Sequence, residues 1–163
     1  MLPDHVRYYL LAGLEATPEL LEAALDGLSD EEVDRRPDPQ RFTLREMIAH
    51  LADFEAIFAE RMRRTRDEDQ PTLPGYDEGQ LVIEHDYAHA DWRAKLAEFG
   101  QGRARTLALL RGLPPDAWDR VAHRTEIGPL TLEGQAILVA AHDMYHLRQA
   151  TAWRRIFAQN GKG

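Results

Sequence analysis

The chain contains no cysteine, and this absence removes several kinds of chemistry from consideration. Without cysteine there is no disulfide framework, no thiolate metal site and no cysteine nucleophile. Any metal ion must therefore be held by histidine, carboxylate or water ligands. The lack of disulfides fits a reducing compartment, so we expect a cytoplasmic protein.

Long apolar runs and an excess of positive charge are also missing. No window approaches the ~20 consecutive apolar residues of a membrane span, and the first residues do not resemble a secretory leader. The 28 acidic residues outnumber the 20 Lys and Arg residues, and the resulting charge of −8 would repel phosphate backbones. We therefore expect neither a membrane nor a nucleic-acid partner, and a small-molecule ligand instead.

What the sequence does contain is helical periodicity. Four segments carry apolar residues at helical spacing, strand-like alternation is almost absent, and proline, glycine or capping residues separate the segments. A chain of 163 residues is long enough for one domain with a substantial core. The pattern predicts an all-α protein, in which residues 1–163 form one antiparallel four-helix bundle with long connections.

Local signals suggest where the helices begin and end. The first helix is expected over residues 4–26, where Pro18 either kinks one long helix or starts a second one. Capping-box patterns begin at Ser29 and at Thr43. A further apolar stripe predicts one continuous helix through residues 82–99.

Histidines at helical spacing are the strongest chemical signal. His142 and His146 lie four residues apart and would stack on one helix face, and His50 lies on the inward stripe of another helix. A lone buried histidine is more often a core residue than a ligand, whereas one divalent cation would satisfy a stacked pair. His85 and His89 repeat the spacing and form a rival pair. From these residues alone, a metal site and a metal-free core both stay open.

Two known metal motifs do not fit the sequence. A zincin protease places glutamate directly after the first histidine, and this position is Asp143. A carboxylate-bridged site with two metals needs inward glutamates on several helices, and these are sparse. Phosphate-binding glycine loops and nucleophile elbows are also absent.

Three segments together resemble one family of helical metalloproteins. Residues 42–52, 128–132 and 142–149 are similar to the DinB/YfiT-like superfamily, and weaker likeness extends over nearly the whole chain. The histidine triad with its spacing is the specific part of the resemblance. Despite the shared name, this superfamily is unrelated to the translesion DNA polymerase.

The resemblance implies a fold and a class of activity. It implies a bundle in which His50, His142 and His146 hold a divalent metal with one side open to water or substrate, and it implies a homodimer. Activities of relatives include transfer and isomerisation reactions that use a low-molecular-weight thiol, and a hydrolase role has also been proposed. We therefore expect a metal-dependent thiol S-transferase, with a metal-dependent hydrolase as the alternative.

The expected chemistry follows from the ligand set. Three neutral imidazoles leave the +2 charge of the ion uncompensated, which lowers the pKa of a bound water or thiol. The ligand pocket is expected to include Phe54, His85, Trp92 and Tyr145. Zinc and nickel are the leading metals, since three histidines suit several divalent ions.

The sequence names no catalytic base. Four side chains could handle protons or orient the ligands: Asp53, Glu55, His85 and Asp143. A bundle that the metal merely stabilises, or that serves as a sensing or binding module, is the alternative from a different class.

Overall fold

The computed structural model describes residues 2–160. Six helices and three short strands are α1 (Asp4–Leu25), α2 (Asp30–Asp34), α3 (Leu44–Asp67), β1 (Thr72–Leu73), α4 (Glu78–Glu84), α5 (Trp92–Arg111), β2 (Val121–Arg124), β3 (Gly128–Thr131) and α6 (Leu132–Asn160). The four long helices form the predicted bundle, in which α1 and α3 each pack against both α5 and α6. None of the described helices is long and apolar enough to cross a membrane.

The first helix is continuous through its proline. Pro18 lies inside α1, so of the two sequence alternatives the structure has one long helix. The Thr17 hydroxyl donates a hydrogen bond to the Gly13 carbonyl at 3.1 Å, in the turn before the proline.

Both predicted capping boxes are present. At the start of α3, the Thr43 hydroxyl accepts from the Glu46 amide at 3.1 Å, and the Glu46 carboxylate accepts from the Thr43 amide at 2.8 Å. Ser29 and Glu32 make the same reciprocal pair at the start of α2. These boxes satisfy backbone donors that have no partner within the helix.

The predicted continuous helix over residues 82–99 is wrong. Helix α4 ends at Glu84, Asp86 has a left-handed φ of 45°, and a short 3-10 turn follows over Tyr87–His89. Asp91 then caps α5 by accepting hydrogen bonds from two backbone amides at 3.1 Å. The apolar stripe is therefore divided between two separate helices.

A small three-stranded sheet contacts α6 through β3, and the sequence did not indicate it. Strand β1 pairs in parallel with β2, which pairs antiparallel with β3. The strands have only two or four residues, too few to show alternation. Gly128 begins β3 with a φ of 82°, a conformation that favours glycine.

The core consists of two apolar clusters. One contains Leu25, Ile48, Phe99 and Trp153, and the other contains Leu14, Met62, Leu110 and Val139, among further residues. Between them along α3, α5 and α6 lie buried polar residues. The candidate site is built at this level of the bundle.

Candidate metal centre

Two long helices bring the three predicted histidines together. His50 comes from α3, and His142 and His146 come from α6. His50 and His146 are buried and His142 is partly buried, and one ligand atom of each lies within 4.8 Å of the other two. The Nε2 atoms of His50 and His142 are 2.9 Å apart. The i,i+4 spacing on α6 stacks its two rings with centroids 4.6 Å apart.

Burial keeps these imidazoles neutral. Desolvation is the main cause that lowers the pKa of His50 to about 2, of His146 to about 3 and of His142 to about 4, from an ordinary 6.5. Repulsion between the rings contributes to the low pKa values of His50 and His146. At neutral pH each ring therefore keeps a lone pair for a metal ion.

The unpaired ring atoms fit a metal ion. The Nδ1 atoms of His50 and His146 are buried and have no hydrogen-bond partner in the structure. Buried polar atoms without partners are costly, and they show that hydrogen bonding within the described chain does not fully satisfy these rings. The Nε2 atoms of His50 and His142 face each other at 2.9 Å, and two neutral rings can share at most one proton there, whereas a divalent cation could take a lone pair from both. Three histidines and no thiolate match the ligands of catalytic zinc sites that keep one position open.

Aromatic rings surround the histidines on the inner side. The Phe54 ring lies 4.3 Å from the His50 ring, and Phe58 meets His142 edge-on at 5.4 Å. Phe42 lies 5.2 Å from His50 on another side. The Phe54 and Phe58 rings keep water away from the inner side of the histidines, so access comes from another direction.

That direction is an open cavity of about 500 Å³. His142 and His146 lie at its wall together with Tyr145 and Gln149 of α6. The facing walls come from α4 and from the loop before α3, and they contribute Arg36, Pro39, Gln40, Arg41, Phe42, Glu78, Gly79 and Val82. A cavity of this size suits a small-molecule ligand.

Glu78 and Arg41 are two of the cavity residues for which the sequence suggested no role. Glu78 is half exposed, its Oε1 lies 3.2 Å from His50 Nδ1 outside hydrogen-bond alignment, and partial burial raises its pKa. Arg41 lies over the Tyr145 ring. No sequence signal marks either residue, since both follow irregular segments whose position depends on the folded bundle.

Of the four predicted pocket residues, only Tyr145 lines this cavity. Phe54 packs behind the histidines. Trp92 lies in the core, where its indole nitrogen donates to Asp30 at 2.9 Å, because the chain break before α5 turns it away. His85 is half exposed, and its Nδ1 lies 2.5 Å from an oxygen of Asp53.

The rival histidine pair does not form a metal site in the described part of the chain. His89 is exposed and pairs with Asp86 at 2.8 Å. Asp53 lies between His85 and Lys95, with its second oxygen 3.0 Å from the lysine nitrogen. The helix break that separates His85 from His89 removes the i,i+4 geometry that the sequence suggested.

The remaining predicted proton handlers are engaged by one buried arginine. Arg103 of α5 donates to Glu55 of α3 at 2.7 Å, to Asp143 of α6 at 2.6 Å and to the Leu14 carbonyl of α1 at 2.9 Å. Thr106 donates to the other Glu55 oxygen at 2.6 Å. Arg103 therefore connects all four long helices, and the carboxylates of Glu55 and Asp143 stabilise the packing of the bundle. The sequence signal that could have indicated this role is Arg103 itself, a charged residue at a position within the apolar stripe of α5.

Comparison with known proteins agrees with this architecture. The family model of the DinB superfamily matches residues 13–150. The chain belongs to the DinB superfamily. The predicted family and bundle are thus confirmed.

Two curated relatives in this superfamily carry names that describe chemistry. "Putative metal-dependent hydrolase YfiT" of Bacillus subtilis is 27% identical over 143 residues, which is 87% of this chain and 80% of the relative. "Putative metal-dependent hydrolase OB0782" of Oceanobacillus iheyensis is 27% identical over 139 residues, 85% of this chain and 80% of the relative.

A solved structure shows the same fold. It is described as YfiT from Bacillus subtilis, a probable metal-dependent hydrolase with an unusual four-helix bundle topology. The two structures superpose with a TM-score of 0.91 at 24% sequence identity, over 97% of this chain and 91% of the other.

Proposed function

We propose that this DinB-superfamily protein is a metal-dependent hydrolase that acts on a small molecule. The observation that carries the proposal is the cluster of three neutral, largely buried histidines, two of which, His142 and His146, line an open cavity of about 500 Å³. A structural metal site would be closed by four protein ligands, whereas this cluster offers three and faces solvent on one side. The names of the two curated relatives support the same reaction class.

The protein residues have separate roles in this proposal. A divalent metal held by His50, His142 and His146 would supply a Lewis acid and lower the pKa of a bound water. The Glu78 carboxylate, on the cavity wall beside His50, would accept the proton at Oε1. Phe54 would exclude water from the rear of the ligands.

Thiol S-transfer is the second candidate. The cavity places the apolar side chains of Phe42, Val82 and Tyr145 near His142 and His146, a surface that suits an apolar electrophile next to a metal-bound thiol. In this case the histidines would hold the metal in the same way, and Glu78 would matter less because thiols ionise more readily than water.

The first experiment is the metal content of protein purified without added metal and without a nickel-binding tag. We expect about one equivalent in the native chain and a large loss in His50→Ala and in His142→Ala. His89→Ala is the matched control, because it removes an exposed histidine outside the cluster and should leave the metal content unchanged. Retention of metal in both cluster variants would refute the site.

The metal-loaded protein would then be screened for ester, amide and thiol-transfer reactions. Hydrolysis that is lost in Glu78→Gln, with metal content retained, supports the hydrolase. Thiol transfer that persists in Glu78→Gln supports the transferase. Full metal occupancy with no turnover in either screen would favour a bundle that the metal merely stabilises.

A further inference from the structure

The loop between α2 and α3 places two arginines at the cavity, and one of them is already engaged. Arg36 donates from Nη2 to both Glu46 oxygens, at 2.7 and 2.8 Å, and from Nη1 to the Arg41 carbonyl at 2.6 Å. Its charge is therefore compensated by Glu46. Arg36 holds the loop in place and has little capacity left to bind a ligand.

The side chain of Arg41 is less engaged by protein partners than that of Arg36. Its guanidinium lies 5.3 Å from the centre of the Tyr145 ring, and its Nε is 3.7 Å from Asp38 in a loose surface pair. Within residues 2–160 its side-chain nitrogens make no hydrogen bond of ordinary length, and the side chain is 39% exposed. Several donors of this guanidinium thus remain free at the cavity.

The backbone that carries Arg41 is held on both sides. Arg36 binds the Arg41 carbonyl, and Gln149 of α6 donates to the next carbonyl, that of Phe42, at 2.9 Å. The capping box at Thr43 then fixes the start of α3. A cation on a fixed backbone loses less freedom on binding a ligand than one on a mobile loop.

The charges around the cavity favour an anionic ligand. Arg36, Arg41 and Glu78 are the charged residues that line it, and Glu46 compensates Arg36. A divalent ion on three neutral histidines would add two uncompensated positive charges. A single carboxylate would pair with the donors that the loose Asp38 contact leaves free on Arg41, whereas a phosphate dianion would also face Glu78.

We propose that Arg41 binds a carboxylate group of the ligand, so that the cavity accepts small molecules with one carboxylate tail beyond the reacting group. This inference rests on the proposed function, since it assumes a ligand that also meets the metal site. A guanidinium presents paired donors that match the two oxygens of a carboxylate.

The test uses two metal-binding probes that differ only in their tails. Succinic monohydroxamate ends in a carboxylate, and butyrohydroxamate ends in a methyl group at the same position. Both are titrated calorimetrically into the metal-loaded chain. We expect the carboxylate probe to bind about tenfold more tightly, as for one charge-assisted hydrogen-bonded pair. Arg41→Gln should abolish this preference and keep its metal content.

Arg35→Gln is the matched control. Arg35 is a neighbouring, half-exposed arginine that pairs with Glu31 at 3.3 Å and lies outside the cavity, so its loss changes the net charge equally. It should preserve the tenfold preference. Equal affinities for the two probes in the native chain, including no binding of either, would overturn the inference, as would a preference that survives in Arg41→Gln.

The same titration separates this inference from the proposed function. Metal-dependent binding of butyrohydroxamate with no carboxylate preference leaves the open metal site intact and refutes only the role of Arg41. Absence of metal, or binding that does not depend on it, refutes the metal-dependent function itself.

Discussion

Replacement of Arg103 by methionine should strongly destabilise the protein. The guanidinium donates five hydrogen bonds, two to Glu55, two to Asp143 and one to the Leu14 carbonyl. The side chains of Arg103 and Glu55 are 1% exposed and that of Asp143 is 4% exposed. Methionine fills similar space and leaves two buried carboxylates without their counter-ion.

The magnitude follows from the loss of one partner in a buried ion pair. Such a loss costs about 3–5 kcal/mol, because the remaining charge stays desolvated. For a chain of this length each kcal/mol lowers the melting temperature by about 2–4 °C, so we expect a decrease of roughly 6–20 °C. Urea denaturation of the metal-free protein at pH 7 measures the free energy of unfolding directly.

Arg111→Met is the control on the same helix. Arg111 pairs with Glu15 at 2.8 Å, but both side chains are about half exposed, at 49% and 57%. An exposed pair contributes about 0–1 kcal/mol, so this variant should unfold almost like the native chain. Adding Glu55→Gln and Asp143→Asn to Arg103→Met should restore much of the lost stability. A cost for Arg103→Met no greater than that for Arg111→Met would refute the reasoning.

Three further predictions concern other parts of the molecule. In the metal-free protein, the free energy of unfolding should fall as the pH decreases from 6.5 towards 4, because in this range His142 takes up a proton only in the unfolded chain. The expected contribution of His142 is up to about 1.4 kcal/mol per pH unit. Urea denaturation at several pH values measures it, and the stability of His142→Gln should depend less steeply on pH. Gly102→Ala should destabilise, because a Cβ there would lie 2.9 Å from Glu55 Cγ, whereas Gly100→Ala should stabilise by about 0.5–1 kcal/mol, as compared by urea denaturation. Trp92→Phe should cost about 1 kcal/mol through the lost hydrogen bond and leave metal content and probe affinity unchanged.

The features that sequence reasoning predicted are those set by local geometry. The capping boxes at Ser29 and Thr43 form because their partners lie three residues away on the same turn. His142 and His146 stack because helix geometry alone puts residues i and i+4 on one face. His50 comes close to His142 and His146 only because α3 packs against α6. The sequence predicted this packing, because both helices carry an apolar stripe that includes these histidines.

The break within residues 82–99 shows where periodicity misleads. The apolar spacing continued across the break, although α4 buries none of its residues and Val82 lies at the cavity. Spacing alone does not show whether a face packs against the core. Asp91 was the local sign of a new helix, but aspartate is equally common on exposed helix faces, so the cap was not recognised. The assignment of Trp92 to the pocket depended on the same error.

Contacts between distant segments were beyond sequence reasoning. Arg103 meets Glu55 and Asp143 only after three helices have packed, and Glu78 reaches His50 only through the position of α4. Arg41 belongs to a loop without periodicity. In the sequence these residues look like any other charged residue, because their roles depend on neighbours that only the tertiary structure brings close.

Helix α4 lies where substitutions can change the cavity without disturbing the core. It buries none of its residues, yet Glu78, Gly79 and Val82 form one wall of the cavity. Substitutions in this helix therefore alter the surface that a ligand meets without opening gaps in the core. Descendants of one ancestral protein can diverge in ligand preference through this segment while α3 and α6 keep the three histidines, and a mutational library aimed at new specificity would begin there.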